Sequence, residues 1–338
     1  MPARLQTRTE RFKGILLRRE FQIGQKIPSE RELAIRHNVS RATIGRVISE
    51  LVAEGVVERK WGKGCYYLGR RDMTVLVLLQ LRLMTQAANP TSWFVYLDTL
   101  KGILAAARDG VNVNLCESTA EVLKFAGKPR HGVICLGGAD MVAGLPPDMP
   151  CVLVNHHPES PYPTVVCDVR NGVLLGTRHL LESGRRRVAY IGGPLEHLSQ
   201  KLRYEGYGAA LAEAGQTLDS RLTVTCLYGD AEGEAAGQRL LDSGVRPDAI
   251  MCADDLRAVG VFRALTARGL RVPADVALLG FDDIPEAATF EVPLSTLHYP
   301  RVEMGERAVQ ILARAMNGEL HEPVRDVLPM TLVLRDSG

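Results

Sequence analysis

The chain has 338 residues, 46% of them hydrophobic, and a net charge of +2. That is apolar material for two or three cores, and with no run of about eighteen apolar residues and no apolar segment behind a basic start, neither a membrane span nor a secreted chain is expected. Residues 1 to 70 hold 15 Lys and Arg against 7 Asp and Glu, a net of +8, so the remainder carries −6. A basic head on an acidic body is a footprint of phosphate binding.

Arg4, Arg8 and Arg11 open the chain among polar residues, and Phe12, Ile15 and Leu16 form one face of a first helix. Ser29 stands three residues before Glu32, the spacing of a capping box, with Pro28 as a rigid approach. A short helix therefore begins at Ser29. It carries Leu33 and Ala34 inward to the turn Arg36-His37-Asn38, where asparagine accepts a left-handed backbone. Ser40 caps the next helix, in which Ile44, Val47, Ile48, Leu51 and Val52 make one apolar stripe at a 3.6-residue period. Gly55 stops it. Two apolar runs, Val56-Val57 and Cys65 to Leu68, flank Trp61-Gly62-Lys63-Gly64, the pattern of a hairpin with a basic tip.

Three helices and a hairpin make a winged helix-turn-helix over residues 1–68, with the polar start Ser40-Arg41-Ala42-Thr43 of its third helix turned to the major groove. The head resembles the GntR regulator family, on the runs Pro28 to Ala34, Val39 to Thr43, Glu54-Gly55 and Gly62 to Gly64. The resemblance implies that Arg31, Ser40, Arg41 and Thr43 meet phosphates and base edges, while Trp61, Gly62 and Lys63 set the wing against the minor groove. One position departs. Where the family often has arginine this chain has Gly45, followed by Arg46, which joins the DNA-facing set. Glycine inside a helix costs about 1 kcal/mol against alanine, so close backbone approach to DNA or an altered base preference is expected there. The plainer alternative, a protein-contact helix with Arg41 and Lys63 merely solvated, is disfavoured by the charge asymmetry.

Gly69 to Asp72 reads as a linker. Short apolar runs then recur at Val75 to Leu79, Val111 to Cys116, Gly132 to Leu136, Cys151 to Val154, Val188 to Ile191, Val224 to Leu227, Ile250 to Cys252 and Val276 to Leu279. Helical stretches such as Asn171 to Ser183, Tyr204 to Ala214 and Leu256 to Arg268 lie between them, so the body is α/β with parallel sheets. Such alternation names no function. The segments Val188 to Pro194, Arg203 to Leu211, Pro247 to Asp255 and Arg271 to Asp283 resemble the effector domain of the LacI regulator family, and the likeness runs over about residues 73–335.

That resemblance implies a two-lobed, periplasmic-binding-protein-like body over 73–338 that binds an effector and dimerises. One lobe would take about 73–167 and 298–325, the other about 168–296 and 326–338, with the ligand between them. It places Arg203, Asp254 and Asp282 in the cleft, with Asn155 and Tyr228 less directly, and Trp93 and Phe94 from a stretched Asn89-Pro90-aromatic run. An arginine and carboxylates can clamp sugar hydroxyls through charged hydrogen bonds. The family often has asparagine at Asp254, so the change removes a donor. One carboxylate of each pair, Asp254-Asp255 and Asp282-Asp283, is expected to cap a helix.

The seven cysteines are dispersed without a Cys-x-x-Cys, which fits reduced thiols in a cytoplasmic protein. His156-His157 with Glu159 lacks a second ligand cluster, so no metal is expected, nor any other cofactor. No nucleophile elbow, Walker loop or dinucleotide fingerprint accompanies the acids, which argues against an enzyme. The expectation is a ligand-responsive regulator, a repressor, with operator DNA, a sugar-like effector and a second copy of itself as partners. A purine effector, a ligand-free dimerisation body and a sugar-processing enzyme are the alternatives.

Overall fold

The computed structural model describes residues 21, 24–53, 56–67, 73–79, 92–107, 111–155 and 158–338, the side chains of 53 and 92–95 excepted. The helix expected at Phe12, Ile15 and Leu16, the three early arginines, the Glu54-Gly55 turn, Leu68, the 69–72 linker, Asn89-Pro90 and His156-His157 lie outside the described residues. The described residues fall into two compact units, a small one at the front and a larger one that holds nearly all of the body.

In the head, helix α1 spans Glu30–His37 and α2 spans Arg41–Ala53. The capping box forms as its spacing demands: the Ser29 amide donates to Glu32 Oε2 at 2.7 Å, and the Glu32 amide donates to Ser29 Oγ at 3.3 Å. Asn38 ends α1 in the left-handed region at φ 51°. Ser40 Oγ then accepts the Thr43 amide at 3.1 Å and starts α2. The stripe Ile44, Val47, Ile48 and Leu51 is buried against Phe21, Ile27, Leu33, Val56 and Val57, so one small core fixes the angle between the helices. Strands β1 (Val57–Lys60) and β2 (Gly64–Tyr67) form the hairpin, in register Lys60 to Gly64. Residues 24–27 run along its other edge, with the Ile27 amide on the Cys65 carbonyl at 2.8 Å.

In the body, β3 (Met73–Leu78), α3 (Ser92–Ala106), β4 (Val111–Cys116), α4 (Thr119–Leu123), β5 (His131–Cys135), β6 (Cys151–Val154) and β7 (Thr164–Cys167) come first. They are followed by α5 (Val169–Glu182), β8 (Val188–Gly192), α6 (Leu198–Glu213), β9 (Thr223–Thr225), α7 (Asp230–Asp242), β10 (Ala249–Cys252), α8 (Asp255–Ala267), β11 (Ala277–Leu279) and α9 (Pro285–Thr289). The chain closes through β12 (Thr296–His298), α10 (Arg301–Met316), β13 (Arg325–Leu328) and β14 (Thr331–Val333).

Two sheets result. One has six strands in the order β13-β7-β6-β5-β3-β4, the other four in the order β11-β10-β8-β9. The second is parallel throughout, and β13, β7, β6 and β5 are parallel neighbours in the first. Strands buried on both faces read as continuous apolar runs, which is why these were visible in the sequence. The chain passes between lobes after β7, between β12 and α10, and between β13 and β14, and β12 pairs antiparallel with β14 at the crossing.

Three expectations shift. The first lobe's sheet extends to Leu328, because β13 pairs with β7, whereas its bound was set at 325. The strand expected at Val224 to Leu227 is β9, which ends at Thr225. Helix α6 begins at Leu198 rather than Tyr204, so Arg203 lies inside a helix.

Helix pairs on the sheets are drawn together at glycines. A Cβ on Gly260 of α8 would collide with the Asp230 carbonyl of α7, and one on Gly305 of α10 with the Thr99 carbonyl of α3. Gly208 of α6 is different: its nearest neighbour, Leu218 Cδ1, stands 3.4 Å from where a Cβ would be. Gly260→Ala should therefore lower stability by about 1–3 kcal/mol through forced separation of α7 and α8. Gly208→Ala should raise it by up to about 1 kcal/mol. Urea unfolding of the full chain followed by circular dichroism compares the two, and equal effects would contradict the backbone contact.

Candidate nucleic-acid interface and effector cleft

The start of α2 presents its polar residues outward. Ser40, Arg41 and Arg46 are exposed and Thr43 half-buried, and Arg31 is exposed on α1. At the hairpin tip Trp61 is fully exposed beside Gly62, whose φ of 68° makes the tight turn, and Lys63. Glu30 ties these parts together. Its carboxylate pairs with Arg41 and with Arg59 of β1, each at 3.5 Å. Exposed pairs of this kind add little stability, but they orient both guanidinium groups.

Gly45 gains a physical account here. A Cβ at this position would stand 3.6 Å from Glu30 Oε2, an ordinary contact, so the glycine is not sterically required. It leaves the Glu30 carboxylate uncrowded above α2.

In the body, Asn155, Asp254 and Asp282 come just after β6, β10 and β11, Tyr228 comes after β9, and Arg203 lies on α6. Arg203 reaches across from α6, donates through Nη1 to the Ala253 carbonyl after β10, and stacks on the Phe281 ring at 3.8 Å. Asp282 follows β11 with φ 117°, a backbone region that strains any residue but glycine. It is held there by Arg301, whose Nη2 donates to Asp282 Oδ1 at 2.6 Å and Nη1 to its carbonyl at 2.9 Å. Asn155, with φ 63°, ends β6 and accepts the Tyr299 hydroxyl at 2.6 Å. Trp93 and Phe94 fall at the start of α3, with their side chains outside the described residues.

Asp254 differs most from its expected role. It is 1% exposed, caps α8 by accepting the Arg257 amide at 2.9 Å, and is ion-paired with the Arg257 guanidinium. Arg257 is itself 2% exposed; it donates to Cys226 Sγ at 3.4 Å and to the Cys226 carbonyl at 3.2 Å, and Tyr228 lies over it at 5.5 Å. Burial pushes the Asp254 carboxyl up, and Arg257 pulls it back. The Asp282-Asp283 pair caps no helix, since α9 starts from Ile284 with Pro285 first. Asp283 instead joins His298 at 2.9 Å and Arg335 at 2.6 Å, and these two hold it below the usual carboxylate range against its burial.

Arg257, Arg301, Tyr190 and Tyr299 were not singled out in the sequence. The spacing of Asp254 and Arg257, three apart at a helix start, was a signal available for the pair. Among the described residues no group of three or more His, Cys, Asp or Glu is placed to hold a metal, and no helix is long and apolar enough to cross a membrane. All seven cysteines are free thiols, and burial pushes those of Cys135 and Cys167 up to about 12.

Asp255, beside the cleft, is 1% exposed; it accepts the Ile284 amide at 2.9 Å and the Thr296 hydroxyl at 2.6 Å. Burial, then the Asp282 charge, push its pKa well above the ordinary value. A carboxyl raised in the folded state favours folding below its unfolded pKa of about 3.9, and that contribution is lost as pH rises through the folded value. Asp255→Asn should therefore be at least as stable as the parent at pH 7, with its advantage shrinking toward pH 4. Thermal melts across that range test it, and a variant that loses more stability at neutral than at acid pH would contradict the assignment.

The family model for bacterial regulatory proteins of the gntR family matches residues 10–66, and that for a periplasmic binding protein-like domain matches 177–338. The HTH-type transcriptional regulator CelR of Thermobifida fusca is 38% identical over 184 residues, 54% of this chain and 53% of its own length. The ribose operon repressor of Escherichia coli is 37% identical over 164 residues, 48% of this chain and 49% of its own. The chain thus spans about half the length of these curated relatives. The solved complex of CelR with cellobiose has a TM-score of 0.65 at 28% identity, covering 92% of this chain and 100% of the other. CcpA of Lactococcus lactis gives 0.65 at 26%, over 79% and 99%. This chain thus joins a head matched by the gntR-family model to an α/β body matched in part by the periplasmic binding protein-like model and similar in structure to solved proteins such as CelR and one from Sanguibacter keddieii described as a LacI-family regulator.

Proposed function

We propose that the chain is a bacterial transcription repressor that reads operator DNA through its head and answers to a sugar-like effector held in the body. The observation that carries this reading is the capped start of α2, which leaves Ser40, Arg41, Thr43 and Arg46 turned outward, on a head whose hairpin tip is basic. Arg31 adds a phosphate contact, and Trp61, Gly62 and Lys63 set the wing in the minor groove. In the body, Arg203, Asp282, Tyr228 and Asn155 bind the effector, Asp254 acts from behind through its pair with Arg257, and Trp93 and Phe94 complete the effector-binding set. Two copies read the two halves of a palindrome, which makes the working form a dimer acting in the cytoplasm. The domain bounds at 68 and 72 mark the change from head to body.

The mechanism is linkage. Effector can change operator affinity only by binding one arrangement of the lobes better than another, and DNA must alter effector affinity by the same factor. Support comes from relatives described as repressors and from a CelR structure that holds cellobiose. No catalytic step is assigned to the cleft acids, each of which already has a structural partner.

The head is tested on duplexes selected from a random pool by the full-length protein, with binding followed by fluorescence anisotropy against salt. Lys63→Ala should weaken all selected duplexes alike and lower the salt slope by about 1. Arg41→Ala should cost about 1–3 kcal/mol and relax preference at one base position. If both variants bind as the parent does, the head does not act as proposed.

A further inference from the structure

The polar atoms of the cleft are unequally committed, and this bears on what it can hold. Arg203 uses Nη1 on the Ala253 carbonyl and one face on Phe281. Its Nε is buried without a partner, and among the described residues no carboxylate pairs with it. What remains is the Nε–Nη2 edge, the fork that matches two oxygens of one carboxylate or phosphate. Close by is a second orphan. Tyr190 is 2% exposed and its hydroxyl has no hydrogen-bond partner. That hydroxyl lies under Gly192, 2.7 Å from where a Cβ would be, at the cleft end of β8. Its ring packs on Tyr204 and Tyr207 at 5.6 and 5.2 Å, both on α6, the helix that carries Arg203.

Most of the carboxylate oxygens, by contrast, are taken. Asp254 is paired with Arg257, and Asp282 with Arg301. Asp168, at the end of β7, uses both oxygens on Asn171, and Asp255 uses its own on Ile284 and Thr296. Each hydroxyl of a neutral sugar brings a donor as well as acceptor lone pairs, and those donors need acceptors in the cleft, for which carboxylates are the strongest. An anionic oxygen group brings acceptors alone, which is what two buried orphan donors lack.

Building on the effector cleft proposed above, we infer that the effector carries an anionic group, a carboxylate or a phosphate, seated on the free edge of Arg203 and capped by the Tyr190 hydroxyl. Sugar acids and sugar phosphates share this chemistry. The Asp254–Arg257 pair is the specificity element: it withdraws from the ligand a carboxylate that would otherwise receive hydroxyl protons, and it adds no net charge beside Arg203.

The full-length protein is titrated calorimetrically with gluconate, glucuronate, glucose 6-phosphate and ribose 5-phosphate, and with glucose, ribose and cellobiose as neutral counterparts. At least one anionic probe should bind ten times or more tighter than its neutral counterpart and shift affinity for the selected duplexes. Which of the acid or phosphate probes responds identifies the source of the anion. Arg203→Lys, which keeps the charge and loses the fork, should weaken that probe at least tenfold. Tyr190→Phe should weaken it while leaving the melting temperature of the free protein unchanged or higher, as removal of an orphan hydroxyl requires. Asp254→Asn combined with Arg257→Met removes both charges of the pair without stranding either, and should narrow the gap between anionic and neutral probes. A neutral sugar that binds tightly and moves DNA affinity, with the anionic probes silent, overturns the inference and leaves the regulator reading intact. Silence of every carbohydrate probe in both binding and DNA affinity overturns the two together.

Discussion

The Asp282–Arg301 ion pair holds the place where the body's two lobes are joined. Asp282 ends a strand of the four-stranded sheet, and Arg301 opens the helix that packs on the six-stranded one. Asp282 and Asp283 both have positive φ, at 117° and 56°. Residues other than glycine in such conformations cost about 1–3 kcal/mol each and persist only where neighbours over-determine them. Arg301 and Tyr299 do so from one side, His298 and Arg335 from the other. Side chains from β12, from α10 and from the segment after β14 thus all bear on one turn. The chain does not cross between lobes at this turn, but the Asp282–Arg301 pair ties it to the crossing between β12 and α10.

The same economy of contacts shows in the head, on a smaller scale. Glu30, in the first turn of α1, reaches both Arg41 and Arg59, so one carboxylate relates the reading helix to the hairpin. The buried stripe of α2 sets the helix angle, and Glu30 adjusts what the helix presents. Gly45 beneath it is where the family pattern breaks, and the break leaves the helix intact while changing the surface over which Glu30 lies.

Much of this was legible in the chain because the signals are local. The capping box at Ser29 and Glu32, the left-handed turn at Asn38 and the apolar stripe from Ile44 each depend on residues within two turns of one another, and each formed as read. The strands of both sheets were visible where they are continuous apolar runs. The segment Thr164–Cys167 was missed, since four residues among prolines resemble a loop until β6 and β13 flank them. Arg257 was hidden for another reason. A charged residue on a helix reads as surface, and only the fold shows that it is sealed in with Asp254. The acids after β10 and β11 were singled out, but a sequence does not say whether a carboxylate is free or already answered by an arginine, and that distinction decides what they do.

Pairing of β13 with β7 has a bearing on the order in which the protein is made. The four-stranded sheet is assembled from one continuous stretch, residues 188 to 279. The six-stranded sheet starts earlier in the chain yet lacks its last strand until residue 328, and the helix that covers it, α10, arrives only at residue 301. Chains emerge from the ribosome N-terminus first, and domains fold as their parts become available. The four-stranded sheet of the second lobe therefore has all its strands while the six-stranded sheet still waits with an open strand edge, and only the closing segment, β14 and Ser337, reaches the second lobe later. The apolar edge of β7 must be kept from wrong partners over that interval, which makes the newborn chain, more than the finished one, dependent on whatever shields such edges in the cell.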